Sequence, residues 1–223
     1  KAYPMGQHGF ARDTEFEQMA AGEDFVTYRL CADEESKKKY PFDFVLEITH
    51  RLENNRLSVE WNVKNVDDKE MYFTIGGHPA FNVNILPDTD FEDYSLVFKE
   101  GIETLSYILI DAENGTALID KTYKLELTNS KYALKKDMFD KDALIFDNGQ
   151  IEWVGLALPN GKPYIALESK NFPNFGIWSK PGAPYVCLEP WCGRCDNKGF
   201  HGEISEKPGI NTLKAGEVFK KSY

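Results

Sequence analysis

The chain has 223 residues, 42% of them hydrophobic and 28% charged, an ordinary globular composition that excludes a disordered, collagenous or low-complexity protein. Its 26 basic against 36 acidic side chains leave a formal charge of −10, which argues against a nucleic-acid binder, a class that usually carries a basic excess. Apolar runs stay far below the roughly 20 residues needed to span a bilayer, and no signal-peptide pattern is visible at the start. Four cysteines, of which Cys187, Cys192 and Cys195 crowd near the end, are too few and too uneven for a disulfide scaffold and favour a reducing cytoplasm.

Period-2 alternation dominates. Phe25–Leu30 reads as a first strand. Phe42, Phe44, Leu46 and Ile48 then alternate with Asp43, Glu47 and Thr49, with Val45 as the exception. After Glu53-Asn54-Asn55 the pattern resumes as Leu57, Val59, Trp61 and Val63 against Ser58, Glu60, Asn62 and Lys64. Two such runs around an asparagine turn predict an antiparallel hairpin with one buried face.

Further strands are expected at Met71–Ile75, Tyr94–Phe98, Thr122–Leu127, Trp153–Leu158, Tyr164–Glu168, Phe175–Trp178 and Tyr185–Glu189. Turn residues such as Pro159-Asn160-Gly161 and Lys180-Pro181-Gly182 separate them. Only Lys136–Leu144 offers a short helical turn, and no sustained 3.6 period, internal repeat or linker is found. The expectation is an all-β fold, a large antiparallel sandwich forming one domain over 1–223. Because the chain opens on Lys1 and runs directly into a functional-looking segment, strands upstream are expected to be missing.

Among the histidines, His50 continues the apolar parity of the hairpin and reads as structural, while His201 sits in an unspecific loop. His78 differs: it lies in Gly76-Gly77-His78-Pro79-Ala80-Phe81-Asn82, where glycines allow close backbone approach and proline stiffens the exit. A histidine held there suits proton transfer near neutral pH; the alternative is a histidine bonded to a turn carbonyl. Glu189 ends an apolar strand before Pro190 and Trp191. Partial desolvation would raise its pKa and make it a better base, whereas a strand-end glutamate facing water would do neither. His8 and Arg12 bracket a glycine in Gln7-His8-Gly9-Phe10-Ala11-Arg12, and arginine's planar fork suits a phosphate or carboxylate. An ion pair of Arg12 with Asp13 or Glu15 is the plainer reading.

Trp191-Cys192-Gly193-Arg194-Cys195 imitates a dithiol redox motif. That chemistry needs the first cysteine at a helix N-terminus, and turn-forming Asp196-Asn197-Lys198-Gly199 follows instead. A zinc site from Cys187, Cys192, Cys195 and His201 lacks paired ligands at structural spacing.

Four stretches taken in order resemble the aldose 1-epimerase (galactose mutarotase-like) family, its LacX-like branch above all: Gln7 to Arg12, Tyr40-Pro41-Phe42, Gly76 to Asn82, and Leu188-Glu189-Pro190-Trp191-Cys192-Gly193. The resemblance implies a β-supersandwich with a sugar cleft. It makes Glu189 the general base and His78 the general acid, with His8 assisting at the ring oxygen. An aspartate that binds sugar hydroxyls is assigned to Asp142 over Asp140 and Asp147. Trp191 and Phe10 could stack on a pyranose, though a core role suits them better.

The implied reaction interconverts α and β anomers of a hexose by acid–base ring opening and closure. A carboxylate and a histidine on opposite sides of the C1–ring oxygen bond would carry it, with neither metal nor organic cofactor. Arg12 keeps hexose-6-phosphate 1-epimerisation open as a rival, and a non-catalytic carbohydrate-binding module is the other. Expected partners are a small sugar or sugar phosphate, with no nucleic acid and no membrane; a homodimer is left open.

Overall fold

The computed structural model describes residues 2–223 and is almost entirely antiparallel β-structure, as the alternation predicts. The chain divides into two compact units, 1–73 with 212–223, and 74–211. Among the described residues, no helix is long and apolar enough to cross a membrane.

The first unit is built on a five-stranded sheet whose spatial order is Glu17–Ala21, Phe25–Cys31, Phe44–Glu53, Arg56–Asn65 and Val218–Ser222. The hairpin closes with Glu53 opposite Arg56, and Asn54 takes the left-handed backbone (φ 54°) that asparagine tolerates in a tight turn. The alternation sorts the faces as read: Phe44, Leu46, Trp61 and Val63 are buried. Toward the hairpin tip the apolar parity runs out into water, with Leu57 60% exposed.

The opposite face carries a cross-strand polar row. Arg29, Glu47 and Asn62 stand directly opposite one another on three neighbouring strands. Arg29 donates twice to Glu47 Oε1, at 3.0 and 2.7 Å, and Asn62 donates to Oε2 at 3.0 Å. The Arg29 hydrogen bond, aided by that from Asn62, holds the Glu47 carboxyl below its ordinary range despite the opposing effect of burial.

Two local expectations are corrected. Within Lys136–Leu144, residues 136–141 form hydrogen-bonded turns and no helix, Asp142, left-handed at φ 72°, breaks any continuation, and Leu144 opens a strand. The short α-helix lies instead at Glu34–Lys37, where Asp33 and Ser36 form a reciprocal capping box. Strands at Thr104–Asp111 and Glu17–Ala21 were not expected from the pattern.

The second unit holds a seven-stranded and a four-stranded sheet. The larger runs Thr116–Glu126, Thr104–Asp111, Leu144–Phe146, Asn174–Trp178 and Tyr185–Cys192. Two short strands, Ile75–Gly76 and Ala80–Asn82, then pair with the same far edge of Tyr185–Cys192. The smaller sheet orders Lys131–Ala133, Ser95–Phe98, Trp153–Ala157 and Pro163–Glu168. Leu96, Val154, Leu156, Ile145, Phe146, Ile177 and Leu188 from these strands are fully buried. The predicted turns are present, with Gly161 at φ 80° and Gly182 at φ 79°.

A carboxylate whose pKa is lowered by folding stabilises the fold above its unfolded pKa, and this contribution is lost as pH falls through the lower folded value. Glu47→Gln should therefore lower the urea midpoint at pH 7. The gap to wild type should close as the pH is taken below the ordinary carboxylate range, measured by urea denaturation across a pH series.

Candidate functional site

The register of one sheet edge sets the site. Gly76 pairs with Trp191 and Ala80 with Cys187, so His78, midway between, stands opposite Glu189. The Gly77 N–H donates to the Pro190 carbonyl at 3.0 Å, and the Leu188 N–H donates to the Pro79 carbonyl at 3.1 Å. Pro79 and Pro190 lack the reciprocal N–H groups, so each of these pairs keeps one bond of two. Between them, His78 and Glu189 occupy a non-hydrogen-bonded pair, the antiparallel position where facing side chains come closest. His78 Nε2 lies 3.4 Å from Glu189 Oε1.

Exposure divides their surroundings. The Glu189 side chain is 4% exposed and that of His78 40%. Burial pushes the Glu189 carboxyl up to about 8; the Trp191 hydrogen bond counters this, and the charge of Asp142 adds to it. Of the two readings left open for Glu189, partial desolvation or a strand end facing water, the buried one holds, and the strand runs on through Pro190 to Cys192. Pro190 is tolerated because its missing N–H faces the interrupted edge strands, while the Gly176–Glu189 pairing carries the other side.

Trp191 lies close over the sheet beside Glu189. A Cβ on Gly176 would lie 2.4 Å from Trp191 Cζ2, and one on Gly76 would lie 2.5 Å from Cδ1. The indole therefore fills space that both glycines vacate, and it packs against the buried cluster of Ile108, Ala117 and Ile145. Its ring serves packing, and its interaction with Glu189 counters part of the rise that burial imposes on the carboxyl.

Asp142, chosen over two neighbouring aspartates, is the one whose charge reaches Glu189. Its carboxylate also accepts the Ala143 N–H at 2.7 Å. Asp147 is occupied structurally: Arg194 Nε and Nη2 donate to it at 3.0 Å each, and Asn174 donates at 2.7 Å. Asp140 is exposed. His78, Glu189, Asp142 and Trp191 all belong to the second unit.

His8 and Arg12 belong to the first unit. Both are exposed, and Arg12 pairs with Asp13 at 3.3 Å, the plainer reading of that arginine. Phe10 packs on Tyr40 and Phe44, with ring centroids 5.8 Å apart in each case, which places it in an aromatic cluster.

Residues that the sequence reading left out of the site are Cys187, Trp178 and Gly176. Cys187 shares the face of Glu189 two residues earlier, and its thiol is pushed up to about 12 by burial and by the Glu189 charge. Trp178 meets His78 edge to face at 6.0 Å. Extending the period-2 alternation backward from Glu189 would have found Cys187; an interior strand glycine was the signal for Gly176. His78, Cys187 and Glu189 place three potential metal-donor atoms within 4.8 Å of one another, the only such group among the described residues. The alternative of Cys187, Cys192, Cys195 and His201 is not assembled. Cys192 ends a strand, and burial raises the Cys195 thiol, the reverse of what a redox-active thiolate requires.

The aldose 1-epimerase family model matches residues 1–223. The chain belongs to the aldose 1-epimerase family. Within it the chain is LacX-like: it is 28% identical to the plasmid protein LacX of Lactococcus lactis subsp. lactis over 226 residues, covering 97% of this chain and 73% of that one. The galactose mutarotase related enzyme from Lactobacillus acidophilus superposes with a TM-score of 0.92 at 33% identity, covering 100% of this chain and 74% of the other. A galactose mutarotase-like protein from Lactobacillus casei gives 0.86 at 32% identity, covering 100% and 76%. The antiparallel architecture is thus that of the aldose 1-epimerase family.

Gly176→Ala should force the indole off the sheet. We expect a loss of about 1–3 kcal/mol, the usual cost of overpacking, read by urea denaturation. An unchanged midpoint would mean that the indole is not held as described.

Proposed function

We propose that this member of the aldose 1-epimerase family interconverts the α and β anomers of a free hexose. The observation that carries the reading is the buried Glu189 carboxyl held 3.4 Å from His78 Nε2 in a fixed cross-strand pair. Ring opening requires loss of the C1 hydroxyl proton and protonation of the ring oxygen. Both oxygens are attached to C1, so a base and an acid standing side by side can serve them together. Glu189 takes the hydroxyl proton, His78 protonates the ring oxygen, and the C1–ring oxygen bond breaks to give the aldehyde. Rotation about C1–C2 presents the other carbonyl face, and closure reverses both transfers. Asp142 binds sugar hydroxyls, a role that the resemblance of the matching motifs supports. The reaction as written needs only proton transfers.

Anomer exchange followed by NMR with glucose, galactose and glucose 6-phosphate tests this reading. Glu189→Gln should slow catalysed exchange by ~10²–10⁴-fold, the usual worth of a general base, with sugar binding nearly intact. Retained exchange in that variant would remove the assigned role. No catalysed exchange in wild type with any of the three would favour a carbohydrate-binding module.

A second substrate class, the hexose 6-phosphate, is favoured by one observation: Arg12 is exposed and its partner is the adjacent, equally exposed Asp13, a weak competitor for an incoming phosphate. On that reading Arg12→Ala should raise KM for glucose 6-phosphate by roughly 10- to 100-fold, the worth of a charged hydrogen bond, and leave glucose and galactose unchanged. An equal effect on all three sugars would rule out a phosphate-binding role.

A further inference from the structure

Cys187 is a buried group at the site that the acid–base chemistry does not use. From its position with His78 and Glu189 we infer a binding site for a thiophilic divalent cation of the zinc class, built on the same side chains as the proton-transfer pair.

The donor set is the first argument. Thiolate, imidazole and carboxylate are the ligand types zinc accepts, whereas calcium and magnesium select oxygen alone. The second argument is spacing. Zinc bonds of about 2.0–2.3 Å in a tetrahedron put neighbouring donors about 3.3–3.8 Å apart, and His78 Nε2 to Glu189 Oε1 is already 3.4 Å. The Cys187 sulfur lies no more than 4.8 Å from the other two donors, so completing the face takes a movement on the order of 1 Å.

The third argument is support. Trp178 meets the His78 ring edge to face at 6.0 Å, a packing contact that restricts the ring of one donor. Cys187 and Glu189 sit two residues apart on one strand, so the sheet holds both backbones. The 40% exposure of the His78 side chain leaves a way in from solvent. Three protein ligands leave one tetrahedral position for water.

Binding forms a sulfur–metal bond, releases to solvent the thiol proton and the protons held at Glu189 Oε1 and His78 Nε2, and occupies the lone pairs of those two atoms. Those lone pairs are the ones epimerisation needs, so metal occupancy and turnover exclude one another. That last consequence rests on the proposed function; the site itself does not.

Cobalt(II) titrated into the whole chain is the test. We expect the strong visible absorption of a four-coordinate ion together with a sulfur-to-cobalt charge-transfer band, both displaced by zinc. Cys187→Ala should lose the charge-transfer band and bind cobalt at least about tenfold more weakly. A band that never appears in wild type, or one that survives in Cys187→Ala, overturns the inference. Should that variant fail to fold, zinc-edge X-ray absorption on the unaltered chain decides: one sulfur among nitrogen and oxygen neighbours supports the site, and none or two overturn it.

Zinc added to the NMR exchange assay should suppress wild-type exchange and spare Cys187→Ala, each judged against its own metal-free rate. Cobalt bound through Cys187 in a chain that exchanges no anomer would leave the site standing and remove the proposed function. Exchange unaffected by zinc, with no cobalt band, would do the reverse.

Discussion

The site depends on one register. Because Gly76 meets Trp191 and Ala80 meets Cys187, His78 and Glu189 come together as a non-hydrogen-bonded cross-strand pair, the closest approach that an antiparallel sheet provides. A slip of one residue would send every side chain of the strand to the other face and dismantle the pair. The hydrogen bonds that pin it are few, since Pro79 and Pro190 each remove a donor. The register is held more firmly on the inner side, where Asn174–Trp178 pairs with Tyr185–Cys192 over five residues.

A buried carboxyl at this position costs stability in its charged form, and burial is what lifts its pKa. Trp191 offsets part of that cost with its hydrogen bond, and two strand glycines make room for the ring. Nearby, Arg194 closes the following loop onto Asp147, and Asn174 bridges Asp147 and the Gly193 N–H. The false redox motif is therefore a structural one: its tryptophan fills the space that two strand glycines leave, its arginine ties down a loop, and its first cysteine finishes a strand.

The parts of the fold legible in the sequence were those with one buried face. Phe44–Glu53 and Arg56–Asn65 alternate cleanly, and their asparagine turn gave the boundaries. Glu17–Ala21 is exposed at every residue, so an edge strand of that kind carries no hydrophobic signal. Thr104–Asp111 has consecutive buried residues in Ile108 and Leu109 and loses the alternation that a half-buried strand shows. The helix at Glu34–Lys37 is too short for any 3.6 period and rests on its capping box alone. At the site, the motifs drew attention to His78 and Glu189 singly, but their pairing needed a register between segments more than a hundred residues apart, which no local pattern encodes.

The structure sets Glu189 and His78 side by side on adjacent strands. Under the proposed function, where they are the base and the acid, that arrangement suits the chemistry. The hydroxyl oxygen and the ring oxygen share a carbon, so two groups that must exchange protons with both in one event need to be neighbours, held by backbones that do not move relative to each other. A sheet meets that need better than two loops would, because the strands fix both side chains through the same ladder. The arrangement has a chemical consequence of its own: an acid–base pair placed closely enough to share one carbon's oxygens is also placed closely enough to share one cation. Cys187, fixed by the same alternation on the same face, supplies the third donor.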